Sequence, residues 1–99
     1  MIKRIVFWNV KGNTPGQIHD NAVRIKELLE SLSGKIPGMS GVEVGINIHD
    51  SADACDIAFI AEFDSDLSIK EYDSHPEHEK IKPEIMHLRT ERYVVVFEL

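Results

Sequence analysis

The hydrophobic positions of this chain change period several times, and each change marks an element. Residues 2–10, IKRIVFWNV, are β-branched and aromatic and predict a strand. Within it Arg4, Val6, Trp8 and Val10 share one face, and Ile5 and Phe7 the other. KGNTPG breaks the strand, and TPGQ opens a helix. Thr14 is placed to cap, Gln17 follows three residues later as in a capping box, and Pro15 suits the first helical position. The helix is expected to run to about Leu32, with Ile18, Ala22, Ile25, Leu29 and Leu32 as its apolar stripe, and to stop at Ser33–Gly34. Residues 42–48, VEVGINI, alternate, with Val42, Val44, Ile46 and Ile48 on one side, and read as a strand. Residues 56–63, DIAFIAEF, form the next strand, apolar on both faces and expected to pair antiparallel with the one before.

A short helix is expected from about Leu67, with Asp64, Ser65 or Asp66 as its cap. A second helical piece follows Pro76, and Pro83 is expected to bend or restart it. Residues 90–98, TERYVVVFE, are the last strand. The order is therefore strand, helix, strand, strand, helix, strand. This predicts an α+β, ferredoxin-like βαββαβ domain over residues 1–99 with a four-stranded antiparallel sheet. Helices cover only one side of such a sheet. The reading assigns Val6, Trp8 and their neighbours to the other side, a patch that a monomer rarely leaves in water. A second copy is expected to cover it, two sheets facing each other as a dimeric α/β barrel.

Composition narrows the function classes. The 99 residues suit one domain, and 42% apolar with 28% charged residues suits a folded one. A net charge of −6, with no Lys/Arg run longer than the Lys3–Arg4 pair, argues against nucleic acid and against an anionic membrane surface as partners. There is no long apolar run for a membrane span, and MIKRIVFWNV is not patterned as a signal peptide. The lone Cys55 suits a reducing compartment, so a cytoplasmic location is expected. Nothing in the sequence calls for a cofactor.

Candidate chemistry concentrates in YDSHPEH, Tyr72 to His78. One reading is purely structural. Proline disfavours the helical conformation before it, so His75 is extended or at a cap, and Ser74 with Glu77 has capping-box spacing. A second reading is proton transfer. His78, in the first turn of the new helix, is a candidate base, and Tyr72 a candidate donor to a developing oxyanion. A third is a metal site from His75, His78, Asp73, Glu77 and Glu79, which lacks a template such as H-E-x-x-H. No metal is expected. His19, His49 and His87 stand alone, and Cys55 has no basic sequence neighbour to activate it. Trp8 and Phe59 read as wall or core, and the glycines form no phosphate loop.

Taken together, IKRIVFWNVK, KIPGMSGVEVG, FDSDLSIKEYDSHPEH and the closing YVVVFEL resemble the stress-responsive dimeric α/β-barrel (Dabb) family over nearly the whole chain. The most specific pieces are Ile36-Pro37-Gly38, Phe63-Asp64-Ser65 and Tyr72 to His78. The resemblance implies a ferredoxin-like subunit that pairs into a barrel. One plant polyketide-cyclase relative is similar in this middle segment and uses a tyrosine and the second histidine of its H-P-x-H segment; by that resemblance Tyr72 would be the donor and His78 the base. It departs at Arg4, where many members carry a histidine. A fixed cation there calls for an anionic ligand or a carboxylate such as Glu62.

The leading expectation is a homodimer of unassigned reaction that binds a small, partly apolar molecule, with Arg4, Val6, Trp8 and His75 as candidate ligand-binding residues. The first alternative is a cyclase-like or isomerase-like enzyme using His78 and Tyr72 as candidate catalytic residues. A second is a structural or stress-protective oligomer without a small-molecule site.

Overall fold

The computed structural model describes residues 1–99. Its elements run β1 (Ile2–Val10), α1 (Pro15–Glu30), β2 (Met39–Ile46), β3 (Ile57–Phe63), α2 (Asp66–Ser74), α3 (Pro76–Leu88) and β4 (Arg89–Glu98). The strands form one sheet in the order β2-β3-β1-β4, every neighbouring pair antiparallel. This is the ferredoxin-like arrangement, with all three helices on one face.

The capping chemistry of α1 is as expected, with one refinement. Thr14 Oγ1 accepts from Gln17 N at 3.2 Å, while Gln17 Oε1 reaches one residue further back, accepting from Asn13 N at 2.7 Å. Ser65 caps α2, accepting from Ser68 N at 3.2 Å. The α3 cap differs from the expected Ser74–Glu77 box. Ser74 is still the last residue of α2, and His75 is the cap, its Nδ1 accepting from Glu77 N at 3.1 Å. Extended backbone at His75, required by Pro76, carries the imidazole to the free N–H groups and leaves Ser74 behind. Pro83 neither ends nor restarts α3, which runs through it as one helix of 13 residues.

The apolar stripe of α1 packs on the sheet through Ala22, Ile25 and Leu29, all 1% exposed or less. Opposite it lie Val6, Trp8 and Val10 of β1, Ile57, Phe59, Ala61 and Phe63 of β3, and Val44 of β2. At roughly 1.5–3 kcal/mol for each large apolar side chain fully buried, this layer is the main source of stability.

Here the structure corrects the face count. Val6 and Trp8 lie under the helices, 2% and 5% exposed, not on the open face. The open face carries Ile5 and Phe7, paired across β3 with Ile60 and Ala58 and across β4 with Val95 and Tyr93. Alternation fixes which residues share a face. Which face the helices choose is decided by the total apolar surface each offers, and that includes Phe59, Ile57 and Phe63 on β3. The edge strand β4 remains exposed on both faces, with Tyr93, Val94, Val95, Val96 and Phe97 between 37% and 50% accessible.

Strand β2 starts at Met39 and ends at Ile46, earlier than the alternation indicates. The register slips between Ser40 and Glu43, and Ile48 lies beyond the strand, fully exposed. The turn into β2 depends on Gly38, at φ +78°, where a Cβ would lie 2.4 Å from Ser68 Oγ. Only glycine allows this backbone and this close approach to α2. The same helix carries Tyr72 one turn further on.

Candidate functional site

A cavity of about 470 Å³ opens between the sheet and the helices. Its floor is Arg4, Val6 and Trp8 of β1 with Phe59 of β3, and Leu29 of α1 closes one side. Tyr72 and Asp73 come from the last turn of α2. His78, Lys82, Ile85 and Met86 come from α3, spaced by four, three and one so that they share one helix face. Arg89 and Arg92 of β4 form the remaining rim.

Tyr72 and His78 meet, which their spacing alone does not establish. Their rings stack with centroids 4.4 Å apart and planes 27° from parallel. Phe63 supports the far side of Tyr72 edge-on at 5.6 Å. Burial pushes the Tyr72 hydroxyl up to about 12, and the Arg4 charge opposes this only in part. The phenol therefore stays protonated and offers its O–H as a hydrogen-bond donor.

Asp73 joins the two sides of the site. Its backbone carbonyl lies 3.3 Å from His78 Nδ1. A carbonyl only accepts, so Nδ1 carries the proton and Nε2 of the neutral ring keeps its lone pair. Burial lowers the His78 pKa below the ordinary imidazole range, with the Asp73 hydrogen bond working against it. The Asp73 carboxylate accepts from Arg4 Nη1 at 3.1 Å. Arg4 thus finds Asp73 and not Glu62, which pairs across the strands with Lys3 on the opposite face. The Arg4 guanidinium also lies 5.6 Å from the centre of the Tyr72 ring.

Of the candidate residues, Tyr72, His78, Arg4, Val6 and Trp8 line this one cavity. His75 does not line it and spends its Nδ1 on the α3 cap. No three His, Cys, Asp or Glu side chains converge as a possible ion-binding set. Sequence reasoning missed Lys82, Arg89 and Arg92, and weighed Asp73 only as a metal ligand. Lys82 stands one helical turn from His78, a signal that was present. Arg92 stands opposite Trp8 in the β1–β4 register, which no local pattern contains.

The family model of the stress responsive A/B barrel domain matches residues 2–99. No curated protein matches the chain. Among solved structures it is similar to a dimeric protein of unknown function and ferredoxin-like fold from Bacteroides fragilis, at 28% identity and a TM-score of 0.84 over 99% of this chain and 95% of that one. A Dabb family protein with a ferredoxin-like fold from Mesorhizobium loti is 18% identical with a TM-score of 0.72, over 99% and 95% of the two chains. A hydroxynitrile lyase from Passiflora edulis shares the fold at 19% identity and a TM-score of 0.72, over 99% and 92%. No helix is long and apolar enough to cross a membrane. With the family model matched over all but the first residue, the chain belongs to the stress responsive A/B barrel (Dabb) family.

Proposed function

We propose that the protein is a cytoplasmic homodimer whose subunits each bind a small, partly apolar molecule in the cavity beneath α3. The cavity itself carries this reading. Its volume falls within the roughly 300–1,000 Å³ usual for small-molecule sites, and it combines an apolar floor with a few convergent polar groups. Pairing is supported by the uncovered face of Ile5, Phe7, Ile60 and Val95 and by dimeric relatives of the same fold.

The test is a thermal-shift screen with small aromatic acids, their neutral amides and polyketide-like lactones, on wild type and on two cavity-filling variants, Val6→Phe and Met86→Trp. A ligand at 100 times its Kd adds about 2.7 kcal/mol of stability. The expected result is a shift in wild type that both variants abolish. Met86 is half exposed, so its variant should fold even if Val6→Phe strains the core. Shifts that survive both fillings place binding elsewhere.

A second reading, base catalysis, rests on the Asp73–His78 hydrogen bond. That bond leaves Nε2 as the acceptor on a ring stacked against Tyr72. In proton abstraction beside a carbonyl, Nε2 takes the proton and the electron pair moves to the carbonyl oxygen. The Tyr72 O–H then donates a hydrogen bond to that enolate oxygen. Such a base must be neutral at physiological pH. Because burial depresses the folded-state pKa, the unfolded chain binds its proton first as pH falls. The stability contributed by neutral His78 is therefore complete above about pH 6.5 and lost as pH falls through the folded-state value. An NMR titration of the His78 ring is expected to give a midpoint below 6.5; a midpoint at or above it removes the base reading.

A further inference from the structure

The cavity is positively charged although the chain is not. Four cationic side chains line it, Arg4, Lys82, Arg89 and Arg92, against one carboxylate, Asp73. This leaves a surplus of three positive charges in a protein whose net charge is −6. Neighbours neutralise the surplus only in part, leaving Arg89 and Arg92 without a carboxylate partner. Asp73 reaches only Arg4, and by a single bond from Nη1. Lys82 reaches Glu79 at 3.6 Å, and Arg89 donates from Nη1 to the carbonyl of Thr90. Burial and the repulsion of Arg4 and Arg89 push the Arg92 guanidinium below its usual value, a sign that these charges press on one another.

The unpartnered donors point the same way. Two buried donors on cavity-lining residues, Arg4 Nε and Trp8 Nε1, have no acceptor. Arg4 as a whole is 9% exposed, so this is a built and buried cation, not a flexible surface one. A site rich in donors and poor in acceptors matches a ligand that brings acceptor oxygens and a negative charge.

The size of that charge is also limited. Glu79 takes up one of the cavity cations, Lys82, and Asp73 another, Arg4. These carboxylates disfavour a phosphate dianion, and the sequence offers no glycine-rich loop to cradle one. The floor of Val6, Trp8 and Phe59 with Leu29 and Ile85 around it calls for an apolar body.

Building on the cavity reading above, we propose that its ligand is an amphipathic monoanion, an organic carboxylate whose head faces Arg4 and Arg92 and whose apolar body lies against Trp8 and Phe59.

The experiment is isothermal titration of three acid and amide pairs of equal shape: 2-naphthoate, 4-phenylbutyrate and octanoate, each with its primary amide. The expected result is that each acid that binds does so about tenfold or more tightly than its amide, the worth of a charge-assisted hydrogen bond. Arg92→Met should remove most of that preference, weakening each acid much more than its amide. Arg92 is on the exposed edge strand, so this variant is expected to fold; Arg4→Lys, which keeps the charge on Asp73 paired, provides a second reading. Raising the salt concentration should weaken the acids and not the amides. Equal binding of acid and amide, or an acid preference unchanged in both variants, overturns the carboxylate assignment and leaves the cavity reading standing. Failure of all six compounds to bind overturns both.

Discussion

Aspartate at Ile5 and Val95 together is expected to convert the protein from twice the mass of one chain to the mass of one chain, measured by light scattering after size-exclusion chromatography. The two positions are direct cross-strand neighbours at the centre of the open sheet face, with Ile60 on the other side of Ile5. Around them lie Phe7, Ala58, Tyr93 and Phe97. A second sheet laid on this face would bury the two carboxylates without partners, at a cost on the order of several kcal/mol for each ion. In a two-fold dimer each change occurs twice. The isolated subunit loses little, because these side chains point away from its own core, so the circular dichroism spectrum should be unchanged. A charge change on the helix side, Glu30→Gln, should leave the mass as in wild type. A double variant that keeps the wild-type mass would show that the subunits pair elsewhere or not at all. The exposed outer edge of β4 makes pairing still more pressing, since unpaired apolar edge strands invite aggregation unless covered.

Phe63→Ala is expected to cost about 3–5 kcal/mol, a large share of the 5–15 kcal/mol typical of a domain. Phe63 is fully buried, stands between Ile2 and Met39 in the sheet register, and backs the Tyr72 ring. Removing its ring leaves a cavity that the sheet on one side and α2 on the other cannot close. Urea denaturation is the check, with a lower midpoint and an unchanged slope expected. Phe63→Leu should cost much less, about 1.5 kcal/mol or below. The variant also tests how the site is held. If Phe63→Leu keeps the fold but loosens Tyr72, ligand binding should weaken more than stability. Equal stability of the alanine variant and wild type would mean that this core position is misplaced.

Much of the architecture is legible without coordinates because it depends on local chemistry. Thr14, Pro15 and Gln17 start α1 with groups that lie within one turn of one another, and the 3.6-residue stripe from Ala22 to Leu29 needs only the helix period. The alternation in β1 separates Ile5 and Phe7 from Val6 and Trp8 because the strand period is two. YDSHPEH turns out to be both a helix entry and a wall of the cavity. Pro76 enforces the break between α2 and α3, and the break is what brings His78 back over Tyr72.

Other features required the chain to close on itself. The same alternation could not tell which face of β1 meets the helices, and the answer reversed the roles of Val6 with Trp8 and Ile5 with Phe7. The cap of α3 went to His75 because backbone direction at a single residue, not spacing, selects the capping atom. Arg4 and Asp73 are 69 positions apart, and Arg4 and Arg92 meet only through the β1–β4 pairing. By itself, then, the sequence determined the elements, their order and the family, since periodicity, caps and breakers act within a few residues. Only the tertiary structure decided which face became the core and which charges surround the cavity. Burial and electrostatic neighbourhood are sums over residues distant in the chain, and a linear pattern carries no record of them.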